Sequence, residues 1–279
     1  MDLGRLSGQS AQPGLSVKTL AVQKLHLPPL PTQQRIAAVL SALDDKIELN
    51  NRINANLEAQ AQALFRSWFV DFEPWGGEMP EGWREGKLEE IAVQNKRVFN
   101  PLKNPDRPIE HFSIPAFDAS HYPVFETSND IQSNKTWLSQ KSLMISKLNP
   151  ATKRLWYPTI HTETAVCSTE FVVLEAKEPV LKDFLYSVMD SSGFTDHLCA
   201  HVTGTTNSRQ RSSAEAALSF EMPIPDTKTL KLFVSVVSPM YAATRNHIEE
   251  NHILSALRDA LLPKLMSGEI DVEKVEIPA

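Results

Sequence analysis

The stretch VTGTTNSRQR, residues 202–211, gathers side chains able to read the edges of base pairs. Arg209 and Arg211 carry guanidinium forks that fit the acceptor pair of guanine, and Asn207 and Gln210 have amides of the kind that pairs with adenine. Thr203, Thr205 and Ser208 add hydroxyls, which together with backbone N–H groups suit phosphate oxygens. A second stretch, SKLNPATKR at 146–154, sets Lys147, Asn149, Lys153 and Arg154 between strand-like runs. Solvated loops and basic turns have the same composition, so residue type alone leaves both readings open at each stretch. Trp137, Trp156 and Tyr157 are able to stack on bases, but aromatics bordering strands are more often core.

Catalytic chemistry has weaker candidates. Asp106, followed at a distance by Glu175 and Lys177, imitates the carboxylate and lysine set of a metal-dependent nuclease, a pattern that recurs by chance over such gaps. HLCAH at 197–201 lacks the second ligand pair that a zinc site uses. There is no Gly-rich phosphate loop among only 10 glycines, which argues against an ATPase motor or a self-contained dinucleotide or adenosylmethionine site. No catalytic residue and no metal ligand is therefore assigned. The net charge of −6 argues against coating nucleic acid by bulk charge, and leaves room for a local basic surface. Two cysteines, no secretory signal and no long apolar run lead us to expect a cytoplasmic protein without a membrane segment.

The elements that would carry these loops divide into four regions. After a Gly, Ser, Gln and Pro-rich start, residues 32–72 form a long helix with Thr32 as its expected N-cap. Its seam steps by four and three through Ile36, Leu40, Leu43, Ile47, Asn50, Asn54, Leu57 and Ala61, a heptad pattern. Breakers at 71–83 precede a mixed region, 79–226. There FSIPAF, SLMISKL, AVCSTEFVVLEA and LSFEMPI suggest strands, and VLKDFLYSVMDS an amphipathic helix. A second long helix spans 227–268, its seam passing through Val237, Thr244, His247, Asn251 and Leu254 before Gly268, with a tail at 269–279. The fold expected is α+β: one mixed, β-rich domain and two long helices forming an antiparallel coiled coil.

The two helices are copies. A shift of 197 positions carries Pro28 onto Pro225, Thr32 onto Thr229, Asn54 onto Asn251 and Leu57 onto Leu254 without a gap. Heptads alone explain matched leucines but not matched prolines or a matched polar centre. In an antiparallel pair, Asn50 then faces Asn251 and Asn54 faces His247, with Leu43, Ile47, Leu57 and Leu254 around them. Polar seam residues fix register at a cost in stability.

The run LPPLPTQQRIAAVLSALDDKIELNNRINANLEAQAQALFRSWFVDF resembles the central conserved region of the DNA-specificity (S) subunit of type I restriction–modification systems. The series FSIPAFDAS, SKLNP, CSTEFVVL, FLYSVMDS and VTGTTNSRQR is similar to one of that family's target-recognition domains, and LRDALLPKLMSGEI to its C-terminal helix end. The resemblance implies a non-catalytic subunit that reads one half of a split site in double-stranded DNA. It implies docking of modification (methyltransferase) subunits on the long helices and indirect association with a restriction subunit. S-adenosylmethionine, ATP and Mg are expected in those partners and no cofactor in this chain. It also puts the loop at 146–154 on the DNA-facing surface. Residues 1–31 would be the tail of a first recognition domain, so a fragment and a half-subunit that pairs with a second copy both stay open. A coiled-coil assembly protein with a protein-binding β domain, or a nuclease, are the alternatives from other classes.

Overall fold

The computed structural model describes residues 17–22, 27–204 and 210–275. In chain order the helices are α1 (Val17–Ala21), α2 (Leu30–Phe69), α3 (Ile114–Ser120), α4 (Lys182–Asp190), α5 (Ser192–Ala200), α6 (Ala214–Leu218) and α7 (Thr227–Ser267). The strands are β1 (Arg84–Lys87), β2 (Ala92–Gln94), β3 (Val98–Phe99), β4 (Pro108–Phe112), β5 (Val124–Thr127), β6 (Lys135–Trp137), β7 (Ser142–Ser146), β8 (Leu155–Trp156), β9 (Ala165–Ser168), β10 (Phe171–Ala176) and β11 (Glu221–Ile224). This is an α+β fold. Residues 46–255 form one compact unit, and residues 1–45 with 256–279 another.

The larger unit holds two main sheets. One is antiparallel in the order β2-β10-β7-β8, and the other, β3-β6-β9-β4-β5, contains a single parallel pair between β4 and β9. Alternation along β10 explains why its sequence is apolar without interruption. Val172 and Leu174 face a core shared with the helices, while Phe171 and Val173 face a second core between the sheets. Strand β7 divides in the same way, with Leu143 and Ile145 on one side and Met144 on the other. A strand buried on both faces has no solvent side to leave polar.

The long helices enter this unit through aromatic residues. Phe65 and Phe69 of α2 and Phe233 of α7 are buried with Phe184 of α4 and with Trp83. Further along, the two helices pass each other antiparallel, with Asn50 against Asn251 and Asn54 against His247. In the other unit Ile36 and Val39 of α2 pack with Leu265 of α7 and Val272.

Three local expectations are corrected. Thr32 does not cap α2, which already begins at Leu30; Pro31 fits that first turn because its missing N–H is one a helix start leaves unpaired anyway. Nor does Thr229 cap α7, since Asp226 accepts the backbone N–H of Lys228 and Thr229 at 2.8 and 3.0 Å. The Thr229 hydroxyl, those N–H groups and the Trp83 indole N–H hold the Asp226 carboxyl down at about 2. FSIPAF is not a strand beyond Phe112: Ser113 accepts from the N–H of Ala116 and starts α3, with Pro115 in the first turn. Helix α4 forms where expected and is amphipathic, with its polar stripe of Asp183, Ser187 and Asp190 turned onto Ser238, Tyr241 and Lys153 rather than onto solvent. The 197-residue shift carries Leu30 onto Thr227, so the repeated helices begin at equivalent positions.

Candidate nucleic-acid interface

The two loops picked out by composition are joined. Asn149 N–H donates to the Gln210 carbonyl at 2.9 Å, and Ser212 N–H to the Lys147 carbonyl at 2.9 Å. Thr203 and Arg211 exchange two backbone hydrogen bonds, each 2.9 Å, and Leu148 bridges Arg211. Asn149 makes the turn possible by adopting a left-handed backbone (φ 48°), which asparagine tolerates better than most residues, with its side-chain amide on the Thr152 hydroxyl at 3.0 Å. Thr205, Asn207, Ser208 and Arg209 lie outside the described residues.

The cations of these loops differ in what they are free to do. Lys153 is drawn to Asp190 at the end of α4, through both its carboxylate and its carbonyl oxygen. Arg154 makes a forked pair with Asp118 of α3, at 2.6 and 3.0 Å, which holds that carboxyl below its usual range. Arg211 reaches Glu170 at 3.1 Å. Lys147 alone of the four has no carboxylate at ion-pair distance among the described residues, and donates to the Thr169 carbonyl at 2.7 Å. A guanidinium already matched to a carboxylate offers less to a phosphate, because the incoming contact must first break a charge-assisted pair. Lys153 and Arg154 are thus directed into the protein's own fold.

Further cations are exposed on the β domain, one of them near Lys147. The Glu215 carboxyl, in the first turn of α6, is held below its usual range by backbone N–H and the Ser213 hydroxyl. Lys96 and Lys147 both add to this, so both ammonium groups lie near it. Next along the chain, the Arg97 carbonyl accepts from Trp137 N–H at 2.8 Å, and the Arg107 guanidinium sits 5.3 Å from the Trp137 ring. Lys96, Arg97 and Arg107 are exposed. Among the described residues none of Lys96, Arg97, Arg107 and Lys147 has a carboxylate within ion-pair distance, unlike Lys153, Arg154 and Arg211. The signal was present as four cations, Lys96, Arg97, Lys103 and Arg107, against Asp106 alone between residues 96 and 107.

Residues considered for catalysis are engaged otherwise. Asp106 accepts from the Asn129 amide at 2.6 Å, while Glu175 receives Asn95, Ser139 and Ser142 at 2.7–3.0 Å. His197 contacts the Ala216 carbonyl at 2.8 Å, and no cluster of three or more metal-ligating side chains occurs among the described residues. Of the aromatics set aside, Trp156 is core and Trp137 is half-buried under Arg107.

The helix interface has its own polar geometry. Asn50 is fully buried; its amide donates to Asn251 at 2.9 Å and Glu250 at 2.7 Å, and its oxygen accepts from Lys46 at 2.9 Å. Asn54 Oδ1 accepts from His247 Nδ1–H at 2.7 Å, and its amide nitrogen donates to the Thr244 carbonyl at 3.4 Å. Leu43, Ile47, Leu57 and Leu254 are half-buried beside them. No helix among the described residues is long and apolar enough to cross a membrane.

Residues 2–59 match the family model described as the type I restriction modification DNA specificity domain. The type I restriction enzyme MjaIX specificity subunit of Methanocaldococcus jannaschii is 28% identical over 97% of this chain, which spans 66% of that protein's length. The HindI specificity subunit of Haemophilus influenzae is 50% identical over 62 residues, 22% of this chain and 14% of its own. The crystal structure of the type I restriction–modification system S subunit from M. genitalium shares the fold, with a TM-score of 0.55 at 15% identity, covering 94% of this chain and 68% of that one. The matched segment and the MjaIX relative make this chain similar to type I restriction–modification DNA specificity subunits, and the M. genitalium S subunit shares its fold.

Proposed function

We propose that this chain is a non-catalytic DNA-reading subunit that recognises one half of a split double-stranded site. The observation that carries the reading is the joining of 147–149 to Thr203 and to 210–212, on a domain where Lys96, Arg97, Arg107 and Lys147 make no ion pair among the described residues. Lys96, Arg97, Arg107 and Lys147 neutralise phosphates, and Gln210 reaches base edges. A local basic surface of this kind binds DNA despite an acidic chain.

The long helices then dock methyltransferase subunits. Leu49, Ile53 and Ile253 are exposed apolar side chains on these helices, outside the seam, and suit a protein partner. Adenosylmethionine, ATP and Mg belong to partner subunits in this reading, and a second copy of this chain is one way to supply the other half-site.

The test is selection of binding sites from randomised duplexes by this chain co-purified with a modification subunit. We expect one enriched half-site. Arg97→Ala and Arg107→Ala should weaken binding to all sequences alike and lower the salt slope by about 1 each. Gln210→Ala should relax preference at one position, at a cost of about 1–3 kcal/mol. A complex that assembles yet enriches no sequence sinks the reading.

A further inference from the structure

His161, in the connection between β8 and β9, has both ring nitrogens against carboxylate oxygens. Nδ1 lies 2.8 Å from Glu110 Oε1 and Nε2 lies 3.0 Å from Glu249 Oε2. A neutral imidazole has one N–H and donates to only one of them; donating to both requires the imidazolium. Glu110, on β4, is fully buried and already accepts the backbone N–H of His161 at 3.0 Å, that of Thr162 at 2.8 Å and the Thr162 hydroxyl at 3.0 Å. Glu249 lies on α7, so within the larger unit His161 joins a strand of the β domain to the second long helix. Beside this bridge Tyr122 stacks on His252 of α7 with centroids 3.7 Å apart, and its ring lies 5.5 Å from that of His161.

We propose that His161, as an imidazolium donating to Glu110 and Glu249, is a proton-dependent clasp that fixes the β domain's 160–164 segment on the second long helix. The clasp concerns how the domain carrying the DNA-reading loops is held, and its bearing on recognition rests on the function proposed above. The titratable groups facing His161 are Glu110 from β4, Glu249 and His252 from α7, and Tyr122 from the turn after α3. Phe125 of β5 closes the side at 5.9 Å, and Glu126 of β5 is taken by His111. Burial works against the charge on His161, but the hydrogen bonds it donates to Glu110 and Glu249, with their negative charges, outweigh it and raise the pKa. A raised pKa in the clasped state gives a contact fully present below the ordinary histidine value and lost as pH rises through the raised one. Each unit of elevation is about a tenfold preference of the clasped state for the protonated ring.

Two measurements on the whole free chain test this: the ring titration of His161 by NMR, and hydrogen exchange of 158–164 and 246–253. Between about pH 6 and about pH 8.5, we expect protection of both segments to fall, after correction for intrinsic exchange rates. In Glu249→Gln the His161 midpoint should drop and that pH step should vanish, while His252→Ala should keep the step. Protection that is flat across the range, or a midpoint unmoved in Glu249→Gln, overturns the clasp. Neither readout involves DNA. A chain that shows the step but selects no DNA site keeps the clasp and fails the functional reading alone.

Discussion

The two long helices meet in two ways within residues 46–255. At one end Phe69 is surrounded by the rings of Phe65, Trp83, Phe184 and Phe233, with centroids 4.9–5.5 Å away. In the middle of the seam no apolar side chain of α2 between residues 41 and 60 is fully buried; Asn50 and Asn54 are the ones that are. Opposite them, Thr244 is the only fully buried residue of α7 between 242 and 264. The aromatic end packs against a third layer, the β domain, and gains the free energy of a real core. The polar centre gains little from burial, but its donors and acceptors are matched in the observed register. One region supplies stability and the other supplies alignment.

If so, the largest effect belongs to the aromatic end. Phe69→Ala should cost about 3–5 kcal/mol, because a fully buried ring is replaced by a cavity walled by four other rings. Urea denaturation followed by tryptophan fluorescence would measure it, since Trp83 stacks on Phe69. A loss below about 1 kcal/mol would mean that the helices are not anchored there.

The middle of the seam should respond differently to one change and to two. Asn50→Leu removes the shared partner of Asn251, Glu250 and Lys46, although Lys46 keeps Glu250 at 3.2 Å and Asn251 keeps Asn51 at 2.8 Å, and should cost about 1–3 kcal/mol. Adding Asn251→Leu restores an apolar pair and should recover most of that loss, at the expense of register. Crosslinking between cysteines placed at Asp44 and Arg258, which form an ion pair across the helices at 2.6 Å, reads the register. Efficient crosslinking in the native background and weaker crosslinking in the stable double variant is the expected outcome. Undiminished crosslinking in the double variant would remove the asparagines from any role in alignment.

The same contrast separates what the sequence made legible from what it did not. The helices and their facing residues follow from a heptad step and a repeat, which are local and periodic. Ends are harder: Thr32 looked like a cap, but the helix absorbs a proline and starts two residues earlier. Phe65 and Phe69 fall off the heptad seam, since they serve the face turned to the β domain, and a two-helix pattern has no place for a third layer. In the candidate interface, residue types marked the loops, and strand pairing joins them. The commitments of Lys153 and Arg154 were illegible because Asp190 and Asp118 are 37 and 36 residues away. Arg107 stands apart in sequence from Lys96 and Arg97, and only the fold brings it and the Arg97 backbone to Trp137.

The smallest effect is expected where the two regimes meet, at Glu58, one turn beyond Asn54. Burial, and then the negative charge of Asp190, raise the Glu58 carboxyl above its usual range, with Lys153 partly offsetting them. Burial likewise raises Asp190. An acid whose pKa is higher folded than unfolded binds extra protons in the native state, so stability should fall as pH rises from the ordinary glutamate value through the raised one. Glu58→Gln removes the part of that slope owed to Glu58. At neutral pH it should be neutral or stabilising, by no more than about 1 kcal/mol given the group's partial exposure to solvent. Denaturation midpoints between about pH 4.5 and about pH 7.5 would give the two slopes. Parallel slopes would mean that Glu58 is solvated in the folded chain, and that the polar character of the seam extends a full turn closer to the aromatic end than burial indicates.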